Sequence, residues 1–392
     1  FPYTTLFRSF LNTYKILIFT YLVFFLVSPL FSLIFVFFGL FFDRSKTKHY
    51  LFLFALFFGY IAFYFNPLIV DDLYRHYENM NKFSNMTMFN AIFYDMNILN
   101  NFLFYLFGKF HIEHFYTLIG TTLTYYLSLL SAYKIINIKK YNKLQIIILY
   151  ILSIVIWPFR LVVSGVRNFV VISILIYWFM VSKKKLSDGK SMIILLCCIF
   201  IHSYTIIFIF FYLCFKYIPS RYYKTSFFLL ISLIFLADFI TPYLNEISIV
   251  GYYASKYIAY RTVVFEYDLY SILFSLCRLM FILFVFVYAW KTRYKNKNLI
   301  LISMIVIVSL IFNSRTFSER NYIFAALASL LILIDNINNV FCTKYIRHFN
   351  TVIFIIACIM FSILNYPTLR NFPMNKPVHS IMVTGFVHVL ID

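Results

Sequence analysis

Tyr50–Tyr77 reads YLFLFALFFGYIAFYFNPLIVDDLYRHY: an unbroken apolar run, an Asn66-Pro67 punctuation, then two adjacent carboxylates, an arginine and a histidine. The run reads as a helix that crosses a bilayer, and charges gathered at such a helix's edge need a reason. Asp71, Asp72, Arg75 and His76 can bind a sugar, a phosphate or a cation, or shuttle a proton. Tyr74 and Tyr77 supply aromatic faces on which a sugar ring can stack. A solvated loop between two spans accounts for the same residues.

Composition extends this reading to the whole chain. Of 392 residues 63% are hydrophobic and 12% charged, and the mean hydropathy is +0.85. That balance describes an all-α, polytopic integral membrane protein. Lys and Arg total 34 against 14 Asp and Glu, a net charge of +20. In a chain this apolar the excess belongs to loops between spans, and no nucleic-acid partner is expected. The six cysteines lie in or beside apolar runs without metal or redox spacing, so they read as packing residues.

Residues 1–9, FPYTTLFRS, match the translation of a common sequencing adapter and are set aside as an artefact, leaving residues 10–392 as a single multi-span domain. Apolar segments fall near residues 16–41, 50–65, 115–133, 144–157, 168–182, 191–202, 204–217, 225–240, 269–290, 298–312, 321–335 and 350–364, about twelve spans. Residues 89–110, interrupted by Asn90, Asp95, Asn97, Asn100 and Asn101, suit an interfacial or re-entrant helix, and residues 378–391 a further short span.

Lysine-rich loops near Lys46, Lys140, Lys184, Lys224, Lys295 and Lys344 alternate along the chain and are expected in the cytoplasm. The opposite face then carries Asp71, Asp72, Arg75, Arg160, Arg167, His202, Arg315 and Arg320. It is richer in arginine, whose forked donors grip phosphate oxygens better than an ammonium does. Arg160 and Arg167, in WPFRLVVSGVRNFVV, have no carboxylate nearby in sequence. On one continuous helix they share a face, ~10 Å apart, with Gly165 between them leaving room for a diphosphate. Lipid phosphates or nearby acids are the plainer partners for the other arginines.

His202, at the end of an apolar helix, is the preferred general base, because an imidazole changes charge near neutral pH. His76 competes for that role. His111 and His114 lack a third ligand, and no metal or other cofactor is expected.

Three stretches in this order resemble the Wzy-type polymerases of bacterial surface polysaccharide, in their EpsG-like branch: DDLYRHY (Asp71–Tyr77), SGVRNFVVISILIYWF (Ser164–Phe179) and KKKLSDGKSMIILLCCIFIHSYTIIFIF (Lys183–Phe210). TFSERNYIF (Thr316–Phe324) is similar to a later arginine segment of that family. Arg167-Asn168 stands where the family usually carries an arginine and a glutamine. The resemblance implies the fold of the membrane-embedded C-superfamily glycosyltransferases and a site on the outer face of the bacterial cytoplasmic membrane. There, polyprenyl-diphosphate-linked repeat units would be joined into capsule, O-antigen or exopolysaccharide without a metal. It implies that Arg160, Arg167 and Arg320 hold the diphosphate, with Arg75, Arg315, Tyr74 and Tyr77 completing the binding surface. Asp71, Asp72 or His202 would act as base or position the acceptor. The implied partners are the lipid-linked glycan, membrane lipid, a chain-length regulator and a flippase of the same pathway. Competing readings are a glycosyltransferase using a polyprenyl-phosphate sugar, an O-antigen ligase, and a lipid-linked oligosaccharide flippase or other transporter.

Overall fold

The computed structural model describes residues 19–21, 23–42, 46–69, 71–137, 143–155, 157, 159–181, 189–203, 205, 206 and 331. The elements of this region are helices: α1 (Pro29–Phe42), α2 (Thr47–Phe63), α3 (Asp72–Ser84), α4 (Met88–Ile92), α5 (Ile98–Lys109), α6 (His114–Ile136), α7 (Lys143–Val155), α8 (Phe159–Ser164), α9 (Val166–Leu175), a π-helical turn (Ile176–Val181) and α10 (Gly189–Ile201).

Local sequence explains several of their boundaries. Pro29 opens α1, where its missing N–H costs nothing. Thr87 caps α4 by accepting the Asn90 N–H. In α3 the buried residues Leu73, His76, Met80 and Phe83 recur at helical spacing, with Asp72 in the first turn and Lys82 in the last to suit the helix dipole. The stretch from Asp72 onward is therefore helix rather than loop.

The long helix α6 is the spindle of the described region, packing against α2, α5, α7, α8, α9 and the π turn. α3 lies along α5, and α10 touches α5 and α9. Close approach depends on residues without side chains. A Cβ at Gly59 of α2 would lie 1.9 Å from Thr122 Oγ1 and 2.6 Å from the Leu118 carbonyl oxygen of α6. One at Gly108 of α5 would lie 2.2 Å from the Met80 carbonyl oxygen of α3.

This architecture corrects the membrane reading. Among the described residues no helix is long and apolar enough to cross a membrane. The stretches taken for spans do form helices, but α1 has 14 residues, α2 17, α7 13 and α10 13, short of the ~20 that a crossing needs. The 23-residue α6 has the length, but Thr117, Thr121, Thr122, Thr124, Ser128 and Ser131 run along it, all buried. Leu51, Phe54, Phe57, Tyr60, Tyr125 and Val163, all from stretches read as spans or their flanks, pack into one buried core. The polytopic fold of about twelve spans and the likeness to membrane-embedded C-superfamily glycosyltransferases are thus set aside. So are the inside and outside loops derived from them, and with these the multi-pass location in a bacterial inner membrane. The segments predicted beyond residue 206 lie outside the described residues.

The residues 89–110, expected as an interfacial or re-entrant helix, form α4 and α5 with a polar turn between them. Asp95 holds that turn, accepting the Asn97 backbone N–H at 2.7 Å and the Asn101 side-chain amide at 2.9 Å.

Candidate functional site

The polar residues singled out in the sequence meet where the start of α3 faces α8. Asp71 is buried just ahead of α3, and its carboxylate accepts the Leu68 N–H at 2.9 Å. Its other oxygen lies 3.4 Å from Nη2 of Arg160. Arg160 therefore has an acid partner after all, contributed from 89 positions away. Next to it, the Asp72 N–H donates to Ser164 Oγ at 3.2 Å, tying α3 to the end of α8. The Asp72 side chain forms an ion pair with the exposed Arg75 one turn on.

Arg160 and Arg167 do not share one continuous helix. The chain breaks at Gly165, which caps α9. The space beside this glycine is not open, since a Cβ there would meet the Phe169 ring at 3.0 Å. Arg160 turns to Asp71, whereas Arg167, half-buried in the first turn of α9, has no hydrogen bond or ion pair among the described residues.

What lies near Arg167 is the buried phenol of Tyr116. Burial pushes the Tyr116 hydroxyl well above its ordinary pKa, and the Arg167 charge pulls against that shift. The Tyr116 hydroxyl donates to Asn100 Oδ1 at 2.9 Å. Asn100 is 1% exposed, and among the described residues its side-chain N–H donors have no partner, nor have those of the buried Asn168, next in sequence to Arg167. A buried amide left without a partner costs on the order of 1–3 kcal/mol, so two of them near an arginine mark a place where a ligand's acceptors would be welcome. His76 is buried and packs its ring against Phe104 and Tyr116, with centroids 5.2 and 6.1 Å apart.

The remaining candidates are distributed around this junction. Tyr74 is half-buried. Tyr77 turns inward, its hydroxyl 3.3 Å from His114 Nδ1, and burial raises its pKa. Burial in turn lowers the pKa of His114. His202 follows α10, and its neighbour Ser203 donates its N–H to Asn97 Oδ1 at 2.9 Å, bringing the end of α10 to the start of α5. Arg315 and Arg320 lie outside the described residues.

Sequence reasoning passed over Ser164, Tyr116, Asn100, Asn168 and the Asp95–Asn97 pair. The asparagines did give a signal, a run of amides interrupting an apolar stretch, but amides in a helix read equally as an interfacial surface. Tyr116 gave none in a chain with 34 tyrosines.

No protein-family model, curated protein or solved structure matches the chain. With no spanning helix among the described residues and no family match, the resemblance to Wzy-type polymerases does not hold. The reading as a bilayer-embedded polymerase, with its membrane-bound ligase and glycosyltransferase variants, is withdrawn with it.

Proposed function

We propose that the junction of α3, α5, α6, α8 and α9 binds a phosphate-bearing ligand, with Arg167 as its principal cation. The observation that carries this reading is the combination at Tyr116. An arginine without an acid partner among the described residues acts on a buried phenol whose hydrogen-bond acceptor, Asn100, keeps its own amide donors unfilled. Asp71 and Asp72 pair with Arg160 and Arg75, which leaves Arg167, of these three arginines, without an acid among the described residues. A forked guanidinium with neutral amide donors beside it suits phosphate oxygens.

The enzymatic reading that accompanies this site is metal-independent glycosyl transfer from a sugar activated as a diphosphate ester. The acceptor hydroxyl oxygen bonds to the anomeric carbon, the bond from that carbon to the diphosphate oxygen breaks, and the hydroxyl proton passes to His202. Positive charge fixed beside the leaving diphosphate lowers the barrier because it need not reorganise during the reaction.

Calorimetric titration of the purified full chain with inorganic pyrophosphate, in the presence of a chelator, tests the reading. Binding is expected, weakened about ten- to a hundredfold by Arg167→Ala, the loss of charge-assisted hydrogen bonds. Arg167→Lys should recover only part of it. Equal affinity for the unaltered chain and Arg167→Ala, or no binding at millimolar pyrophosphate, overturns the assignment.

A further inference from the structure

The His202 N–H and carbonyl and the Ser203 N–H are all hydrogen-bonded, the last to a group distant in the chain. The His202 N–H donates to the Cys198 carbonyl at 3.0 Å, closing the last turn of α10. Its carbonyl accepts both the Thr205 N–H at 2.9 Å and the Thr205 hydroxyl at 2.5 Å. The N–H of the same peptide plane, that of Ser203, donates to Asn97 Oδ1 from 106 residues away. Asn97 could offer either end of its amide, but Asp95 decides which. Asp95 Oδ2 accepts the Asn97 side-chain N–H at 2.9 Å and Oδ1 accepts its backbone N–H at 2.7 Å, which leaves Oδ1 of Asn97 facing Ser203. Asp95 is itself steadied by the Asn101 amide at 2.9 Å. Asn97, Asn101 and Ser203 are all buried, so water does not compete for the Ser203–Asn97 bond, whereas Asp95 sits at the exposed end of the chain of bonds.

The geometry points to Asp95 and Asn97 as positioning residues for His202. A side chain can transfer a proton efficiently only if its own backbone is locked, and second-row hydrogen bonds supply that lock in built sites. An ordinary helix end needs the Thr205 contacts alone; the Asp95 carboxylate that orients a distant, buried amide onto the His202–Ser203 peptide is additional. The assignment rests on the role given to His202 in the proposed transfer.

The test uses the full chain with imidazole-labelled histidine, His202→Gln identifying the His202 resonance. Asn97→Ala should shift and broaden that resonance, leave the His114 resonance in place, and speed exchange of the Ser203 amide about five- to tenfold, the loss of one hydrogen bond. Asp95→Asn preserves volume but turns a donor toward the Asn97 amide, so it should reproduce the Asn97→Ala signature even if the alanine variant does not fold. A His202 resonance unmoved by Asp95→Asn, or by Asn97→Ala with only a lowered Tm, overturns the proposal. Pyrophosphate titration of the same samples reads the phosphate site separately: loss of binding in the unaltered chain defeats that reading, while the His202 resonance still decides the clamp.

Discussion

Arg160 Nη2 lies 3.4 Å from Asp71 Oδ1, joining residues 89 positions apart across the contact between α8 and the start of α3. The two ends of this pair are not equally buried: the Asp71 side chain is 8% exposed and the Arg160 side chain 23%. Removing the cation strands the carboxylate in the interior, whereas neutralising the carboxylate leaves an arginine that still reaches water. Arg160→Met is therefore expected to destabilise the chain by about 1–3 kcal/mol, reduced by partial solvation from the cost of breaking a fully buried pair. Asp71→Asn, which still accepts the Leu68 N–H, should cost less. Denaturant unfolding of the two variants checks the order, and a reversed order would show that Asp71 gains little from Arg160.

Tyr116→Phe removes the donor that satisfies Asn100 Oδ1 without opening a cavity. The expected loss is about 1–3 kcal/mol, because a buried acceptor is left bare. Adding Asn100→Leu removes that acceptor too, so the double variant should recover much of the stability. Pyrophosphate affinity should not return with it. Recovery of both quantities together would separate Asn100 from the ligand site.

Acid should weaken the fold through His114. Burial lowers its pKa in the folded state below the ordinary 6.5, so the unfolded chain binds the proton more readily. Stability from keeping this imidazole neutral is complete above about pH 6.5 and is lost as the pH falls from there toward the lower folded value, where the loss levels off. Glu113, adjacent in sequence, and a hydrogen bond to the Phe63 backbone both oppose the shift, while Tyr77 faces the ring from α3. The difference in unfolding free energy between the unaltered chain and His114→Phe, followed from pH 8 to pH 5, should change in this direction; a flat difference would deny His114 the role.

The helix crossings make a graded prediction. Alanine at Gly59 or Gly108 places a methyl group against backbone carbonyl oxygens, which cannot step aside. Each substitution should cost about 1–3 kcal/mol by overpacking. At Gly120 the clash is with Val166 Cγ1, a side-chain methyl, so the penalty should be smaller. At Gly189 nothing stands within 4 Å, and alanine should be neutral or slightly stabilising. Thermal unfolding of the four variants reads the order.

Much of the helical layout was legible in the sequence, because long apolar runs without proline have few alternatives: α2, α6, α7 and α10 fall within or across the runs expected near residues 50–65, 115–133, 144–157 and 191–202. What these runs face was not legible. Phe54 and Tyr125 look alike in sequence whether they meet lipid or a neighbouring helix, and composition cannot distinguish the two. The charged stretch Asp71–Tyr77 showed its chemistry but not its helix, whose buried face is set by only Leu73, His76, Met80 and Phe83. The supposed common face of Arg160 and Arg167 failed at Gly165, where a local break outweighed helical periodicity. The partners that define the site, Asp71 for Arg160 and Asn97 for Ser203, are joined across 89 and 106 residues, separations at which side-chain spacing carries no information.

The hydroxyls of α6 mostly return to the helix's own carbonyls: Thr117 to His114, Thr122 to Leu118, Thr124 to Gly120 and Ser131 to Leu127. Bonds of that kind make no demand on neighbours and do nothing to stop the helix turning or sliding among them. Other side chains reach outward instead, the His114 ring to Tyr77 and two hydroxyls. Tyr116 reaches Asn100, and Ser128 donates to the Ser153 carbonyl while accepting from the Trp157 indole. These pins are ~18 Å apart along the axis. One alone would leave α6 a pivot; together they fix both its angle and its height, so any strain a ligand imposed at Tyr116 would be carried along a clamped shaft to the Trp157 end.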